Sequence, residues 1–278
     1  MVHPPASDGR KVYADLHVHT KLSDGLDSPQ EVVRKASEKG LKVIAITDHD
    51  TVVGVDQAIE AAEGTSLRII PGIEMSTDEG KHLVGLFIDH ESKVIEEFTR
   101  FMRKSRIEWA EKVLRKLEIE GIASLSLDSL LDDVGQGVVG KPHIAEMATG
   151  SSKYERIKEY IQVYLNRGMP AYVSKEKKSM EECIDIIIKA GGIPVLAHPW
   201  SEKATAFNNG DMDKMIAAGL KGIEIFYPDQ DPEMIEQYIG QAEAMGLVIS
   251  GGSDHHGNDR LGQYGVTEEE FQRLEDLI

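Results

Sequence analysis

The sequence predicts an α/β protein built on a largely parallel sheet, and three observations lead there. Short apolar, β-branched runs alternate with helical stretches, the order produced by right-handed strand–helix–strand crossovers. Five of those runs are followed almost at once by histidine or carboxylate, as expected when the strands of a parallel sheet end at one rim. The chain has 278 residues, ample for one large unit, since α/β barrels of about 250 residues commonly form a single domain.

Lys11-Val12-Tyr13-Ala14 opens the first strand and leads to His17 and His19. Ser28-Pro29 starts the first helix as N-cap and first-turn proline, and Gly40 closes it. Lys42-Val43-Ile44-Ala45-Ile46 is the second strand and ends in Asp48 and His49. A short helix near Val55 to Glu63 precedes a strand from Leu67 to Ile73 that delivers Glu74, and His82 to Ile88 is an apolar run opening on a histidine. Ser92 to Glu120 is a long amphipathic helix, with Val94, Phe98, Phe101, Met102, Trp109, Val113 and Leu117 near helical spacing, ended by Gly121.

Ile122 to Pro170 holds no long strand and reads as a small helical insertion that caps the functional rim, with segments near Leu127 to Asp132, His143 to Ala148 and Tyr154 to Asn166. Alternation resumes with helix Met180 to Ala190, strand Ile193 to Ala197, helix Met212 to Ala218, strand Gly222 to Phe226, helix Pro232 to Met245 and strand Leu247 to Gly251. About seven strand and helix pairs result, fewer than the eight of a standard barrel. The expected division is 10–91 with 171–278 for the sheet domain, and 92–170 for the long helix and insertion.

The formal charge of −17 argues against a basic groove for nucleic acid, because affinity for phosphate backbones comes from Lys and Arg. Bound divalent cations would reverse the sign locally, so small phosphorylated ligands, and short RNA at most, suit the chain better than duplexes. No obligate protein partner is evident. One cysteine, Cys183, excludes an intramolecular disulfide framework and fits a reducing compartment. No apolar run approaches the roughly 20 residues needed to span a bilayer, and the first residues lack the pattern of a secretion signal. The expectation is a soluble cytoplasmic protein without membrane contact.

The spacing of the rim residues has a chemical reading. Side chains at i and i+2 of a strand share a face about 7 Å apart, so His17 and His19 enter one cavity together, and Asp254 with His256 repeats the device if that segment stays extended. Imidazole and carboxylate are ligands that Zn, Mn and Fe accept. A carboxylate can also bridge two ions, as hydrolytic sites with metals roughly 3.5 to 4 Å apart require. Glu74 is the candidate bridge.

His17-Val18-His19, Ser23-Asp24-Gly25, Thr47-Asp48-His49, Gly72-Ile73-Glu74, Ala197-His198-Pro199 and Gly252-Ser253-Asp254-His255-His256-Gly257 resemble, in order, the motifs of the polymerase and histidinol phosphatase (PHP) family. Pro170-Ala171-Tyr172-Val173, Gly191-Gly192 and Gly140-Lys141-Pro142-His143-Ile144-Ala145 narrow the resemblance to the branch with nucleoside 3',5'-bisphosphate phosphatases and a 5'-to-3' exoribonuclease acting on short RNA. The resemblance implies a distorted seven-stranded (β/α) barrel whose C-terminal rim holds three divalent ions, usually Mn, Fe or Zn. One ion would take His17, His19, Glu74 and Asp254. A second would share Glu74 and add His82 and His198. The third would take Asp24, His49 and His256. Asp24 and His82 enter on the resemblance; otherwise Asp24 reads as a turn residue and His82 as a strand-end packing residue.

Around this set, Asp48 either orients a ligand or caps the next helix. His255, where relatives often carry an aromatic residue, either stacks on a substrate base or packs. Glu224 ends a strand at the same rim with a structural use, while His3 and His90 lie outside the pattern and face solvent. Lys141, Arg167, Lys175 and Lys177 lie in or beside the insertion, as holders of a second phosphate or as solvated charges. Lys141 leads because it falls where relatives often have Arg.

After His198-Pro199 some relatives place a phosphate-binding arginine. This chain reads Trp200-Ser201-Glu202-Lys203. Lys203 is the candidate substitute, with Asn208 or Asn209 adding a hydrogen bond, but a lysine lacks the bidentate fork.

The implied activity is hydrolysis of a phosphoester by metal-activated hydroxide, with Glu74, His198 and Asp254 at the centre and His198 or a water protonating the leaving group. The first-choice substrates are nucleoside 3',5'-bisphosphates or 5'-phosphorylated short oligonucleotides; a cyclic phosphodiester or histidinol phosphate is the alternative. A non-catalytic metal-stabilised module working through a protein partner is the reading from another class, and the complete ligand set disfavours it.

Overall fold

Seven strands lie side by side in chain order in the computed structural model, which describes residues 10–200, 209–228, 230–257 and 259–278. They are β1 (Ala14–Val18), β2 (Val43–Ile46), β3 (Arg68–Ser76), β4 (His82–Leu86), β5 (Ile193–Leu196), β6 (Gly222–Phe226) and β7 (Val248–Gly251). β1, β2 and β3 are parallel, as are β5, β6 and β7. β4 runs antiparallel to both β3 and β5. An all-parallel sheet is therefore not what forms. Only Thr77 to Lys81 separates β3 from β4, and a parallel crossover needs about a dozen residues or more.

The reversal has a consequence for the rim. Ser76, the last residue of β3, pairs with His82, the first of β4. The start of β4 thus lies where the other strands end.

The sheet curls until its edges meet through single contacts. Val18 bridges His255, His19 N donates to the His255 carbonyl (3.0 Å), and Ala14 pairs with Val266. The result is a distorted seven-stranded barrel. Alternate strand residues supply its interior: Val43 and Ala45, Val84 and Leu86, and Ile193 and Val195 belong to one buried cluster, joined by Phe271 and Leu274. The intervening Ile44 and Ile46 pack outward. At the rim, Glu74 and His82 keep the inward phase of Ile70 and Val84, because side chains alternate along a strand.

The helices are α1 (Pro29–Glu38), α2 (Val53–Ala62), α3 (Lys93–Ile119), α4 (Leu127–Val134), α5 (Lys141–Thr149), α6 (Tyr154–Tyr160), α7 (Met180–Lys189), α8 (Asn209–Ala218), α9 (Ile235–Ala244) and α10 (Glu268–Glu275). A π-helical turn, Ile161–Leu165, continues α6. Ser28 caps α1 in a reciprocal box with Glu31, and Gly40 follows with φ 78°. α10 is absent from the sequence reading. Its mark is a second box, in which Thr267 Oγ1 accepts from Glu270 N and Glu270 accepts from Thr267 N.

α3 serves two cores. Ile95, Phe98 and Met102 pack with α7 and the barrel strands. Trp109, Val113 and Leu117 pack with Leu130, Val139, Ile144 and Leu165 of the helical segment that follows. Among the described residues no helix is long and apolar enough to cross a membrane.

β7 leaves the barrel through Gly252, where an added Cβ would come within 2.3 Å of His17 Cβ and 2.4 Å of His17 N. Gly252→Ala is expected to destabilise the protein by about 1 to 3 kcal/mol, the usual cost of overpacking, and to displace His17. Urea unfolding together with a metal-binding titration measures both effects.

Candidate metal centre

Nine side chains proposed from sequence converge on one rim. Two come from β1 and the residue after it: His17 is held by Glu224 on β6, whose Oε1 accepts from His17 Nδ1 (2.9 Å). That contact turns His17 Nε2 toward His19 Nε2, 3.1 Å away. His49 follows β2, Glu74 lies in β3 and His82 starts β4. His198 and Asp254 follow β5 and β7 with left-handed backbone, φ 28° and 47°, a conformation that costs free energy and recurs where function requires it.

Glu74 is the centre of this arrangement and is 1% exposed. Its two oxygens face different partners. Oε1 lies 2.9 Å from His82 Nδ1 and 3.0 Å from His198 Nε2. Oε2 lies 2.9 Å from His49 Nδ1, 3.2 Å from His19 Nε2 and 3.4 Å from His17 Nε2. Asp254 Oδ1 adds 3.3 Å to His19 Nε2 and 3.6 Å to His17 Nε2. On the other side, Asp24 reaches His256 Nε2 at 3.2 Å and His49 Nε2 at 3.7 Å.

Among the described residues, four overlapping groups have ligand atoms close enough to share a cation: His17, His19 and Asp254; His17, Glu74 and His198; His49, Glu74 and His82; and His19, Asp24, His49 and His256. The second and third divide His82 and His198 between neighbours, where the sequence reading joined them on one ion. The fourth adds His19 to the expected trio.

The donor chemistry fits divalent ions. His49 Nδ1 and Glu74 Oε2 are buried and lack a hydrogen-bond partner although only 2.9 Å apart. Unpaired buried polar atoms are costly, and lone pairs directed at a common cation satisfy both. Without ions, His17, His19, His198 and His256 are shifted toward holding protons. Burial pushes the Glu74 carboxyl up, but His49, His82 and His17 together hold it well below the ordinary range. Burial pushes His256 down, and Asp24 and Asp254 overcome it and lift the ring to about 10. His17 likewise rises against burial because of Glu224 and Glu74. His82 is instead driven down to about 4, chiefly by burial.

The loops carrying these residues are braced by carboxylates behind them. Asp48 accepts from Thr20 N (2.7 Å), Thr20 Oγ1 (2.7 Å) and Ser23 Oγ (2.6 Å), so it holds the loop bearing His19 and Asp24. It does not cap α2, whose N-cap is Val52. Asp15, which sequence reasoning missed, accepts from Ser253 N and Gly262 N (both 2.8 Å) and ties the Asp254 loop to β1. Its signal was an acid between Ala14 and Leu16 in a strand whose other polar residue is His17.

Glu224 Oε2 accepts from His198 N (2.8 Å), so one carboxylate orients two candidate ligands. His255 is buried with Nε2 2.9 Å from Asp27; it packs, and base stacking is ruled out. His90 pairs with Asp56 (2.8 Å), away from the centre, while His3 lies outside the described residues.

The cations are less concentrated. Lys141 Nζ donates to Asn166 Oδ1 (2.8 Å), and Lys177 Nζ to Thr77 O (2.9 Å) just beyond β3. Lys175 lies over the Trp109 ring, 4.8 Å from its centre. Burial and Arg106 push Lys175 well below the ordinary lysine range, with Lys177 and Lys141 adding to the effect. Arg167 is exposed. Lys203 and Asn208 lie outside the described residues, as does the side chain of Asn209. Sequence reasoning also missed Arg106, buried on α3 against Asp50, although a charge on the apolar face between Met102 and Trp109 was its mark.

The PHP domain family model matches residues 15–173, over half of the 278 residues. The chain belongs to the PHP family. It is 30% identical over 247 residues to a 3',5'-nucleoside bisphosphate phosphatase of Chromobacterium violaceum, covering 87% of this chain and 86% of that one. It is 32% identical over 251 residues to a 5'-3' exoribonuclease of Haemophilus influenzae, covering 87% and 89%. A Bifidobacterium adolescentis crystal structure classed among metal-dependent phosphoesterases superposes with a TM-score of 0.85 at 27% identity, over 94% of each chain. The barrel fold is thus common ground with a solved relative.

The titration shifts lead to a prediction for the metal-stripped protein. The folded pKa of His256, about 10, exceeds the ordinary 6.5, so its ion pairing stabilises the fold fully below 6.5 and is lost as pH rises through about 10. Glu74, Asp24 and Asp254 are depressed, so their contribution is present above the ordinary carboxylate range and fades in strong acid. Melting scans after chelation are expected to show the midpoint falling as pH climbs from neutral toward about 10. Stabilisation by added metal should grow with pH through neutrality, because ions displace protons from the same rings. A metal effect independent of pH would contradict this.

Proposed function

We propose that this PHP-family protein, a metal-dependent phosphoesterase, hydrolyses small phosphorylated substrates at a centre of three divalent ions drawn from Mn, Fe and Zn. Its preferred substrates are nucleoside 3',5'-bisphosphates or the 5'-phosphorylated ends of short oligonucleotides. The observation that carries the reading is the division of Glu74, one oxygen toward His82 and His198 and the other toward His17, His19 and His49. That is the disposition of a carboxylate shared between ions.

In this reading His17, His19, Glu74 and Asp254 would hold one ion, Glu74, His82 and His198 a second, and Asp24, His49 and His256 a third, with His19 near enough to contribute to both outer positions. Bound ions supply Lewis acidity, lowering the pKa of water and neutralising charge on phosphoryl oxygens. The chain's own part is to hold nine ligands without protons, which the flanking carboxylates Glu224 and Asp48 assist by fixing ring and loop orientation. His198 is fixed by its backbone contact to Glu224, and with His198 serving as a ligand a water would protonate the leaving oxygen.

Two features favour substrates with two phosphates. Lys141, Lys175 and Lys177 gather on one side, where burial first lowers all three and neighbouring cations add to it, Lys177 acting on Lys141 and Arg106 on Lys175 and Lys177; the Arg106 guanidinium itself is taken up by Asp50. Such a cluster, in a chain of charge −17, invites an anion. The names of the Chromobacterium and Haemophilus relatives, a bisphosphate phosphatase and an exoribonuclease, point to ligands of that kind. A cytoplasmic setting fits the single buried thiol, Cys183.

Phosphate release from a panel containing adenosine 3',5'-bisphosphate and short 5'-phosphorylated RNA, alongside elemental analysis, tests the proposal; a fully metal-loaded protein inert toward the whole panel would refute it. Glu74→Gln is expected to lower metal content and to cut turnover by more than about 100-fold, the scale of removing one charge-stabilising group. Lys141→Ala should raise KM for bisphosphates by about tenfold, the effect of one charge-assisted hydrogen bond, with little change for single phosphates. Equal losses on both substrate types would remove Lys141 from the role.

A further inference from the structure

Two segments carry the lysines beside the metal centre, 135–141 and 173–177, and both hang from one face of α3. Arg103 donates to the carbonyls of Gly135 (2.9 Å), Gln136 (2.8 Å) and Gly137. Arg106 Nη1 donates to the Val139 carbonyl (2.9 Å), two residues before Lys141. Ser105 Oγ donates to Glu176 O (2.6 Å), and Trp109 Nε1 to Val173 O (3.0 Å). Val138 N donates to Leu22 O (2.9 Å), bringing the first segment against the loop that bears Asp24.

The other donors of Arg106, Nε and Nη2, go to Asp50 Oδ2. Asp50 is fixed in turn. Its Oδ1 accepts from Ser76 N (2.8 Å), its N donates to the Glu74 carbonyl (2.9 Å), and its backbone is left-handed at φ 54°. Arg106 is 4% exposed and Asp50 is fully buried. One guanidinium therefore spans from an insertion carbonyl to a carboxylate anchored on β3 beside Glu74. A lysine ammonium lacks the planar fork that makes this span possible.

We propose that Arg106 is a positioning residue: through Asp50 on one side and Val139 on the other it sets the separation between the insertion lysines and the Glu74 centre, and thereby selects substrates with two phosphates over those with one. The proposal rests on the reading that the lysines hold a second phosphate. A single phosphate needs only the metal centre. A ligand held at both places needs a fixed distance between them, and misplacement by an ångström is costly.

The test uses the metal-loaded full chain as wild type, Arg106→Ala and Arg106→Lys. Calorimetric titration with adenosine 3',5'-bisphosphate and with inorganic phosphate reads binding without turnover, and elemental analysis reads metal content. KM and kcat for the bisphosphate and for 4-nitrophenyl phosphate complete the set. Both variants are expected to weaken bisphosphate binding and raise its KM by more than about tenfold, with inorganic phosphate affinity and kcat on 4-nitrophenyl phosphate held within about threefold and metal content retained. If Arg106→Ala does not fold, Arg106→Lys, which keeps the charge, decides alone.

A variant with the wild-type preference for two phosphates overturns the proposal, as does proportional loss on every ligand, which would mark a merely structural role. Wild-type protein that binds the bisphosphate no tighter than inorganic phosphate refutes the lysine reading itself, and the proposal with it. The two failures are thereby told apart.

Discussion

A carboxylate surrounded by five imidazoles governs this molecule. Glu74 is buried on an inward strand position with His17, His19, His49, His82 and His198 around its two oxygens. An isolated buried carboxylate is among the most expensive groups a fold can contain, so the site must hold compensating positive charge in every state. Protons on the rings supply it in the metal-free protein, which is why His17, His19, His198 and His256 are raised while Glu74, Asp24 and Asp254 are depressed. Divalent ions can supply it instead, with the rings neutral. Proton and metal compete for the same atoms, so the stability of the barrel mouth is linked to metal supply and to pH together.

The rest of the barrel is arranged around that requirement. Rim residues come from five strand ends and one strand start, and no single local element could fix their spacing. Carboxylates behind the rim do so by accepting hydrogen bonds from the backbone: Asp15 takes those of Ser253 and Gly262, Asp48 that of Thr20, Glu224 that of His198. Each converts a loop into a framework with one geometry, the condition under which ligands remain convergent before a metal arrives. Burying so many acids costs stability that the apolar interior and the outer helical layers offset. The left-handed backbone at His198 and Asp254 is the same trade seen locally.

Much of this was legible before any coordinates. The strand ends bearing His17, His19, His49, Glu74, His198, Asp254 and His256 announce themselves because apolar β-branched runs and isolated polar residues alternate sharply along the chain. Asp24 and His82 do not; a lone acid in a turn and a histidine at a strand start look ordinary, and their place depended on resemblance. The direction of β4 was hidden because strand propensity carries no orientation, although the five residues before it were too few for a crossover. Asp15, Arg106 and the true use of Asp48 belong to long-range hydrogen bonding, Asp15 reaching to Gly262 and Arg106 to Asp50. No periodicity within a segment records such pairs. A polar residue on an apolar face is the trace they leave.

In the proposed reading, reaction and selection are borne by different parts of the chain. The rim set is formed by the barrel, whose architecture is shared with the Bifidobacterium structure at a TM-score of 0.85, and relatives with different named substrates cover most of the same sequence. A common fold among relatives of different names places discrimination, in the proposed reading, in what surrounds the rim. Here the surrounding element is the helical segment hung from α3, and its registration on the centre runs through few contacts: Val138 on Leu22, Lys177 on Thr77, and Arg106 on Asp50. Small changes at those contacts alter the distance between two charged regions while leaving the ligand set intact. A scaffold so divided can change what it accepts without rebuilding the chemistry that acts on it.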